Sequence, residues 1–270
     1  MKIDKEILGY YNSGIEFDRL QKDVFQLERE RTKEIITRYL PQAKKKILDI
    51  GGGAGFYSFW LKGLGHEVHL VDPVEINVHK ANKSDKDLKI QLDSCKIGDA
   101  RKLDYKDNSF DIILFMGPLY HLVDKEERIT ALTEAKRVLK DGGIIFCAGI
   151  SRYASMLEGY FREFIKDPDF FQIIDQDIST GQHRNLTNKL EYFTTAYFHQ
   201  PTELEDEVKE AGFEVEKMLA VDSFGWLLPD FEKKWNDAHY KTLLMESIRR
   251  VEDNKELLSI SAHILAVARK

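Results

Sequence analysis

Residues 46–72 read KILDIGGGAGFYSFWLKGLGHEVHLVD, and the fold follows from them. Ile47, Leu48 and Ile50 form a short apolar run that carries Asp49 and leads into the alternating glycines Gly51, Gly53 and Gly55. A helical pattern comes next, and a second apolar run (Val68, Leu70, Val71) ends on Asp72. Glycines at a strand-to-helix turn let a backbone approach a ligand closely. An acid at the tip of the second strand can accept hydrogen bonds from both hydroxyls of a ribose. The segment therefore predicts a βαβ unit that holds a nucleoside.

Spacing narrows the nucleoside. The dinucleotide fingerprint G-x-G-x-x-G needs a third glycine, but Phe56 or Ser58 stands there, depending on the frame. The phosphate loop G-x-x-x-x-G-K-[ST] fails because no Lys-Ser/Thr pair follows. What stands is D-x-G-x-G-x-G. An acid at Asp49 repels a pyrophosphate and suits a cation. S-adenosylmethionine, an adenosine bearing an ammonium and a sulfonium with no phosphate, meets that requirement. The alternative is an ordinary βαβ turn whose glycines serve only tight packing. The segment closely resembles motif I of the class I S-adenosylmethionine-dependent methyltransferases. The resemblance implies that Gly51, Gly53 and Gly55 pass under the methionine moiety and that Asp72 binds the ribose.

The 270 residues suffice for a sizeable core, and a net charge of −6 without a basic stripe argues against a dedicated nucleic-acid binder. No apolar run is long enough to span a membrane, and no signal peptide is evident, so a cytoplasmic enzyme is expected. Cys95 and Cys147 both lie in apolar runs and read as buried thiols rather than a disulfide or a metal site; no metal is expected.

Strands are predicted near 46–50, 67–72, 89–97, 111–115 and 143–150, and helices near 55–64, 74–82 and 125–139. This alternation predicts an α/β sheet, mostly parallel and covered on both faces. Residues 151–200 are aromatic and weakly periodic and read as an insertion over the sheet. Pro201 opens a further helix that Gly212 ends, a strand follows near 213–218, a helical stretch covers 231–258, and residues 260–268 form a last strand. The methyltransferase resemblance makes that strand antiparallel and inserts it beside the fifth. The expected whole is a Rossmann-like three-layer sandwich in a single domain. It comprises a seven-stranded sheet, an N-terminal helical lid (1–45), a core (46–150 and 201–270) and a helical cap (151–200).

Further residues carry chemistry. Asp99 and Ala100 follow the third strand; in the family an acid here contacts the adenine amino group and the next amide meets the ring. The fourth strand runs into Met116-Gly117-Pro118-Leu119-Tyr120-His121-Leu122. In class I enzymes this loop faces the methyl group, which makes Met116 a cofactor contact and Tyr120 and His121 catalytic candidates. Methyl transfer is an in-line displacement governed by alignment. His121 is the expected base where the acceptor must lose a proton; packing or capping of the following helix is the competing reading.

Phe17, Leu20, Val24 and Leu27 are spaced as one face of an N-terminal helix, and the next position on that face is Arg31. A charge on a buried face needs an anionic partner. Family helices before motif I often clamp the cofactor carboxylate with an arginine, so Arg31 is assigned that role, with a salt bridge to a core acid as the alternative and Arg19 as a weaker candidate. Tyr10 or Tyr11 is expected to close over the cofactor. Tyr192, His199 and Trp226 are the expected acceptor contacts, on aromatic walls that suit a small organic molecule.

Motif I, the Asp72 tip, Gly98-Asp99-Ala100, the GPLYHL loop and the RVLKDGG stretch (Arg137 to Gly143) appear in family order over 46–150. The GPLYHL loop, Thr195 to His199 and Gly225 to Asp230 also look like a bacterial subgroup whose acceptors are mostly unassigned. The Asn-Pro-Pro-Tyr type motif of amino-methylating DNA and protein enzymes is absent after the fourth strand. The expected reaction is methyl transfer to a small-molecule oxygen, nitrogen or carbon. RNA or protein methylation and a non-catalytic cofactor-binding module are the alternatives.

Overall fold

The computed structural model describes residues 4–17, 19–88, 90–187 and 189–270. Parallel strands β1 (Lys46–Ile50), β2 (Glu67–Asp72), β3 (Ser94–Ile97), β4 (Phe110–Phe115) and β5 (Leu139–Ser151) form the body of one sheet in the order β3-β2-β1-β4-β5. Four more strands follow in the chain: β6 (Gln182–His183), β7 (Ala196–His199), β8 (Glu214–Ala220) and β9 (His263–Arg269). β9 lies antiparallel along β5, pairing Ile145 with Ala268 and Gly149 with Ile264, and β8 lies antiparallel outside β9. The chain thus has a Rossmann-like fold, a mostly parallel sheet with an antiparallel end and helices on both sides.

Alternation along the strands sends successive side chains to opposite faces. Leu48, Ile50, Ile113, Phe115, Ile145 and Cys147 pack under the helices Lys125–Val138 and Pro201–Glu210. Ile47, Ile112, Leu114 and Phe146 pack under the helices Phe25–Tyr39 and Phe56–Gly63. Strands buried on both faces carry near-continuous apolar runs for this reason. Each fully buried side chain of this size contributes roughly 1.5–3 kcal/mol of transfer free energy.

Several expectations are corrected. The sheet has nine strands among the described residues, because residues 151–200 are not purely helical. β7 runs parallel to the end of β5, with Ile150 opposite Phe198, and β6 pairs antiparallel with β7. The strand expected over 89–97 forms only at Ser94–Ile97, and residue 89 lies outside the described residues. The helix after β2 runs further than expected, Glu75–Leu88. Cys147 is buried, whereas Cys95 is only half-buried. The 231–258 stretch splits at Asp237, which caps Ala238–Val251 by accepting from His239 N and Tyr240 N.

The N-terminal stripe is not one helix. Residues Lys5–Asn12 form one helix, Arg19–Gln21 a single 3₁₀ turn, and Phe25–Tyr39 the long helix. Gly14 at φ 76° and Asp23 at φ 45° adopt left-handed backbone, which a continuous right-handed helix cannot contain. Leu27 and Arg31 are buried as the spacing requires, but Phe17 and Leu20 turn toward the carboxyl ends of the strands.

Candidate active site

A cavity of about 620 Å³ opens at the carboxyl ends of β1, β2, β3 and β4, where open α/β sheets bind ligands. Its floor is the glycine turn and its roof is the N-terminal segment, including Ile7, Tyr11, Phe17 and Leu20.

The three motif glycines do three different things. Gly53 (φ 56°) has open space where a Cβ would point, and it lines the cavity. Gly51 (φ 72°) also lines it, but an added Cβ would meet Pro118 Cδ at 2.9 Å, so this glycine admits the Gly117-Pro118 loop. Gly55 is not in the cavity wall; its Cβ would meet Phe59 at 3.0 Å and Leu70 at 3.3 Å, so it serves helix-on-sheet packing.

Asp72 is buried at the tip of β2. Its Oδ2 accepts from Gly53 N at 2.8 Å, and its Oδ1 accepts from Val74 N at 2.9 Å and Asn77 Nδ2 at 3.0 Å. Burial pushes its carboxyl above the ordinary range, and these hydrogen bonds oppose the rise. One acid thus fixes both the glycine turn and the start of the next helix. Asp49 lies on the other side of the turn. Its Oδ2 accepts from Ser58 Oγ at 2.7 Å, whereas its buried Oδ1 has no hydrogen-bond partner. Burial, reinforced by the charge of Asp72, raises its pKa to about 7. Tyr57 Oη is a second buried atom without a partner in the same wall.

Asp99 and Ala100 line the far end. Burial raises the Asp99 carboxyl, but Arg101 outweighs it by donating Nε at 2.9 Å and Nη2 at 2.6 Å, and holds it below the usual range. Met116, Tyr120 and His121 line the middle, on the loop and short helix Pro118–His121 after β4. His121 Nδ1 lies 3.4 Å from Thr195 O, and Nε2 lies 2.6 Å from Tyr11 Oη. A carbonyl only accepts, so Nδ1 carries the ring proton and Nε2 accepts from the Tyr11 hydroxyl. Burial lowers the His121 pKa to about 4, so the ring is neutral at pH 7.

Besides Gly55, four expected site residues lie elsewhere. Arg31 is completely buried and does not reach the cavity. It donates to Glu34 at 2.7 Å, to Glu252 and to the carbonyl of Val221 at 3.3 Å, so its anion comes from the protein rather than from a cofactor. Tyr192 donates to Asp167 at 2.6 Å and packs on Phe164 and Phe170. His199 faces Glu207, which Arg128 grips through Nε at 2.8 Å and Nη2 at 2.6 Å. Trp226 donates Nε1 to Ile260 O at 2.8 Å. None of the three lines the cavity: each turns a polar atom to an internal partner, although His199 Nδ1 is buried without one.

The sequence reading missed Glu16, Glu28, Thr32, Tyr57 and Asn77, and gave Arg19 too little weight. Arg19 stands in the cavity wall between Glu16 (Nε, 2.7 Å) and Glu28 (Nη1, 2.5 Å). Its departure from the apolar stripe was the available signal.

Residues 48–147 match a family model described as a methyltransferase domain. This stretch carries most of β1, all of β2, β3 and β4, most of β5, and most of the cavity residues outside the N-terminal roof. The matched stretch is thus similar to a methyltransferase domain. Among curated proteins the chain is similar to an uncharacterized methyltransferase of Schizosaccharomyces pombe, 31% identical over 51% of each chain. It is also similar to the ubiquinone/menaquinone biosynthesis C-methyltransferase of Acidiphilium cryptum, 30% identical over 44% of this chain and 48% of that one. The chain spans about half the length of these curated relatives. Among solved structures, a SAM-dependent methyltransferase from Methanosarcina mazei superposes with TM-score 0.59 at 20% identity, over 87% of this chain and 96% of that one, a likeness of fold.

Proposed function

We propose that this chain transfers a methyl group from S-adenosylmethionine to an oxygen, nitrogen or carbon atom of a small molecule. The observation that carries the reading is the pair of acids across the glycine turn. Asp72 is held by three donors at the tip of β2, and Asp49, which lines the same cavity, has a buried oxygen without a hydrogen-bond partner. An unsatisfied buried carboxylate oxygen is costly without a cationic or donor ligand. The cofactor's ammonium fits Asp49, its carboxylate fits Tyr57 Oη, and its adenine fits the wall between Asp99, Ala100 and Asn77. When bound, the cofactor supplies an electrophilic methyl group.

The chain's own contribution is alignment and exclusion of water. Residues 4–24 act as the lid and residues 151–200 as the cap. For an acceptor that loses a proton, Nε2 of the neutral His121 ring is the accepting atom once the Tyr11 hydroxyl that fills it turns away, and a pKa of about 4 makes it a weak base. A covered cavity of this size favours a small acceptor over a polymer, in keeping with the quinone biosynthesis named for one relative.

The test is thermal unfolding with S-adenosylmethionine, S-adenosylhomocysteine, NAD and ATP, followed by a labelled-methyl screen. A ligand at 100 times its Kd adds about 2.7 kcal/mol, or roughly 5–10 °C for a chain of this size. No rise with either adenosyl compound would sink the reading. Binding with no transfer to any small molecule would instead favour a non-catalytic module.

A further inference from the structure

Three arginines line the cavity, and they are not equally engaged. Arg19 is bracketed by Glu16 and by both oxygens of Glu28 (2.5 and 3.0 Å). Arg101 is gripped by Asp99 and Glu127, the latter at 2.5 Å. Arg184 has no such partner among the described residues, where its one carboxylate within 4 Å is Asp4: Asp4 Oδ2 lies 3.6 Å from Nη1, while Oδ1 caps the helix Lys5–Asn12 by accepting from Glu6 N at 2.9 Å. Its contact with Thr195 Oγ1 is 3.5 Å, at the limit of a hydrogen bond.

Topology places this guanidinium beside the reacting centre. β6 and β7 pair Gln182 with Tyr197 and His183 with Ala196, so the next positions along this ladder are Arg184 and Thr195. Thr195 supplies the carbonyl that orients His121. Gln182, Arg184 and Thr195 form one wall of the cavity, at the end away from Asp99. His183, between Gln182 and Arg184, is buried in the cap with Nδ1 2.9 Å from Asp177 and Nε2 2.8 Å from Tyr192 O, which anchors the strand that presents them.

We propose that Arg184 is the anchor for a carboxylate on the methyl acceptor, with the Gln182 amide beside it. The inference rests on the methyl-transfer reading above. A planar guanidinium matches a carboxylate through two parallel hydrogen bonds. A single arginine flanked by Asp4 and by Glu6, which takes the Thr195 hydroxyl, is a poor match for a phosphate dianion. The acceptor is then a small hydroxy or amino acid, oriented by its carboxylate so that the nucleophile faces the Tyr11–His121 pair.

The probes are carboxylic acids paired with their own primary amides, such as 3,4-dihydroxybenzoate with its amide and glycine with glycinamide. Each is added to protein saturated with S-adenosylhomocysteine for thermal stabilisation, and in a separate reaction to protein with methyl-labelled S-adenosylmethionine for transfer. The expected result is stabilisation by at least one acid and not by its amide. In Arg184→Gln that acid weakens by about 10- to 100-fold, in Arg184→Lys by less, and both variants keep the parent's S-adenosylhomocysteine affinity. No acid preferred over its amide, or a preference unchanged in Arg184→Gln, overturns the anchor and leaves the donor site standing. Failure of the parent to bind S-adenosylhomocysteine overturns both.

Discussion

Asp49 combines burial, a raised pKa and an unpartnered oxygen in one side chain, and its pH behaviour follows. With a folded pKa of about 7 against roughly 3.9 unfolded, the empty protein holds a proton there that the unfolded chain releases. Stability of the empty protein therefore falls as pH rises from about 4 to 7 through this group. A cationic cofactor favours the ionised form, so its affinity should rise about tenfold per pH unit between pH 5 and 7 and flatten above. Calorimetry in buffers of different ionisation enthalpy should show proton release on binding near pH 6. Asp49→Asn should abolish both the release and the slope; an unchanged slope would remove Asp49 from the site. Asp72→Ala leaves Gly53 N, Val74 N and Asn77 without their acceptor, and cofactor affinity should drop at least 100-fold in equilibrium titration. His121 stays neutral down to about pH 4, so an inflection of kcat near 6.5 belongs to another group, whereas His121→Ala should lower kcat across the whole neutral range.

At the scale of elements, legibility tracks how local the deciding interaction is. The βαβ unit and its glycine turn were legible because strand, turn and acid lie within residues 46–72. The helix stripe was legible in burial but not in continuity, since Asp23 breaks it with a left-handed residue that nothing in the neighbouring sequence enforces. Arg31 shows the same boundary. Its position on a buried face correctly required an anion, but Glu252 arrives from the far end of the chain, a separation that periodicity cannot see. Tyr192, His199 and Trp226 had the composition of a pocket and became core, because a polar tip on an aromatic ring serves either place. The Arg31–Glu34–Glu252 cluster, with Arg38 on Glu34 and Glu252, ties the helix Phe25–Tyr39 to the helix Ala238–Val251 and its end. Arg31→Ala should cost about 3 kcal/mol in denaturant unfolding. Its cofactor affinity per folded molecule should remain that of the parent, and a selective loss of affinity would restore the clamp role.

For the molecule as a whole, the cavity is assembled from segments far apart in sequence. The roof comes from residues 4–21, the floor from β1 and β2, and one wall from β6 and β7. A roof of this kind has to move for a ligand to enter. Tyr11 holds it to His121, Glu6 to Thr195, and Arg19 to Glu28. Limited proteolysis within residues 4–24 should slow several-fold when S-adenosylhomocysteine is bound, and equal cleavage rates with and without it would argue against a lid. Tyr11→Phe should loosen the roof and speed both cleavage and cofactor release.

The position of β9 carries a consequence for how the molecule comes together. It follows every other strand in sequence, but it lies inside the sheet, with β5 on one side and β8 on the other. Until residues 263–269 have left the ribosome, both neighbours expose an unpaired row of backbone donors and acceptors, and such open edges invite pairing with other chains. Strands β1 to β4 make no ladder with β9, although Leu265 and Val267 of β9 complete the core that covers them. During synthesis the two halves of the sheet are thus unequal risks: one can close early, and the other waits for a keystone that arrives last.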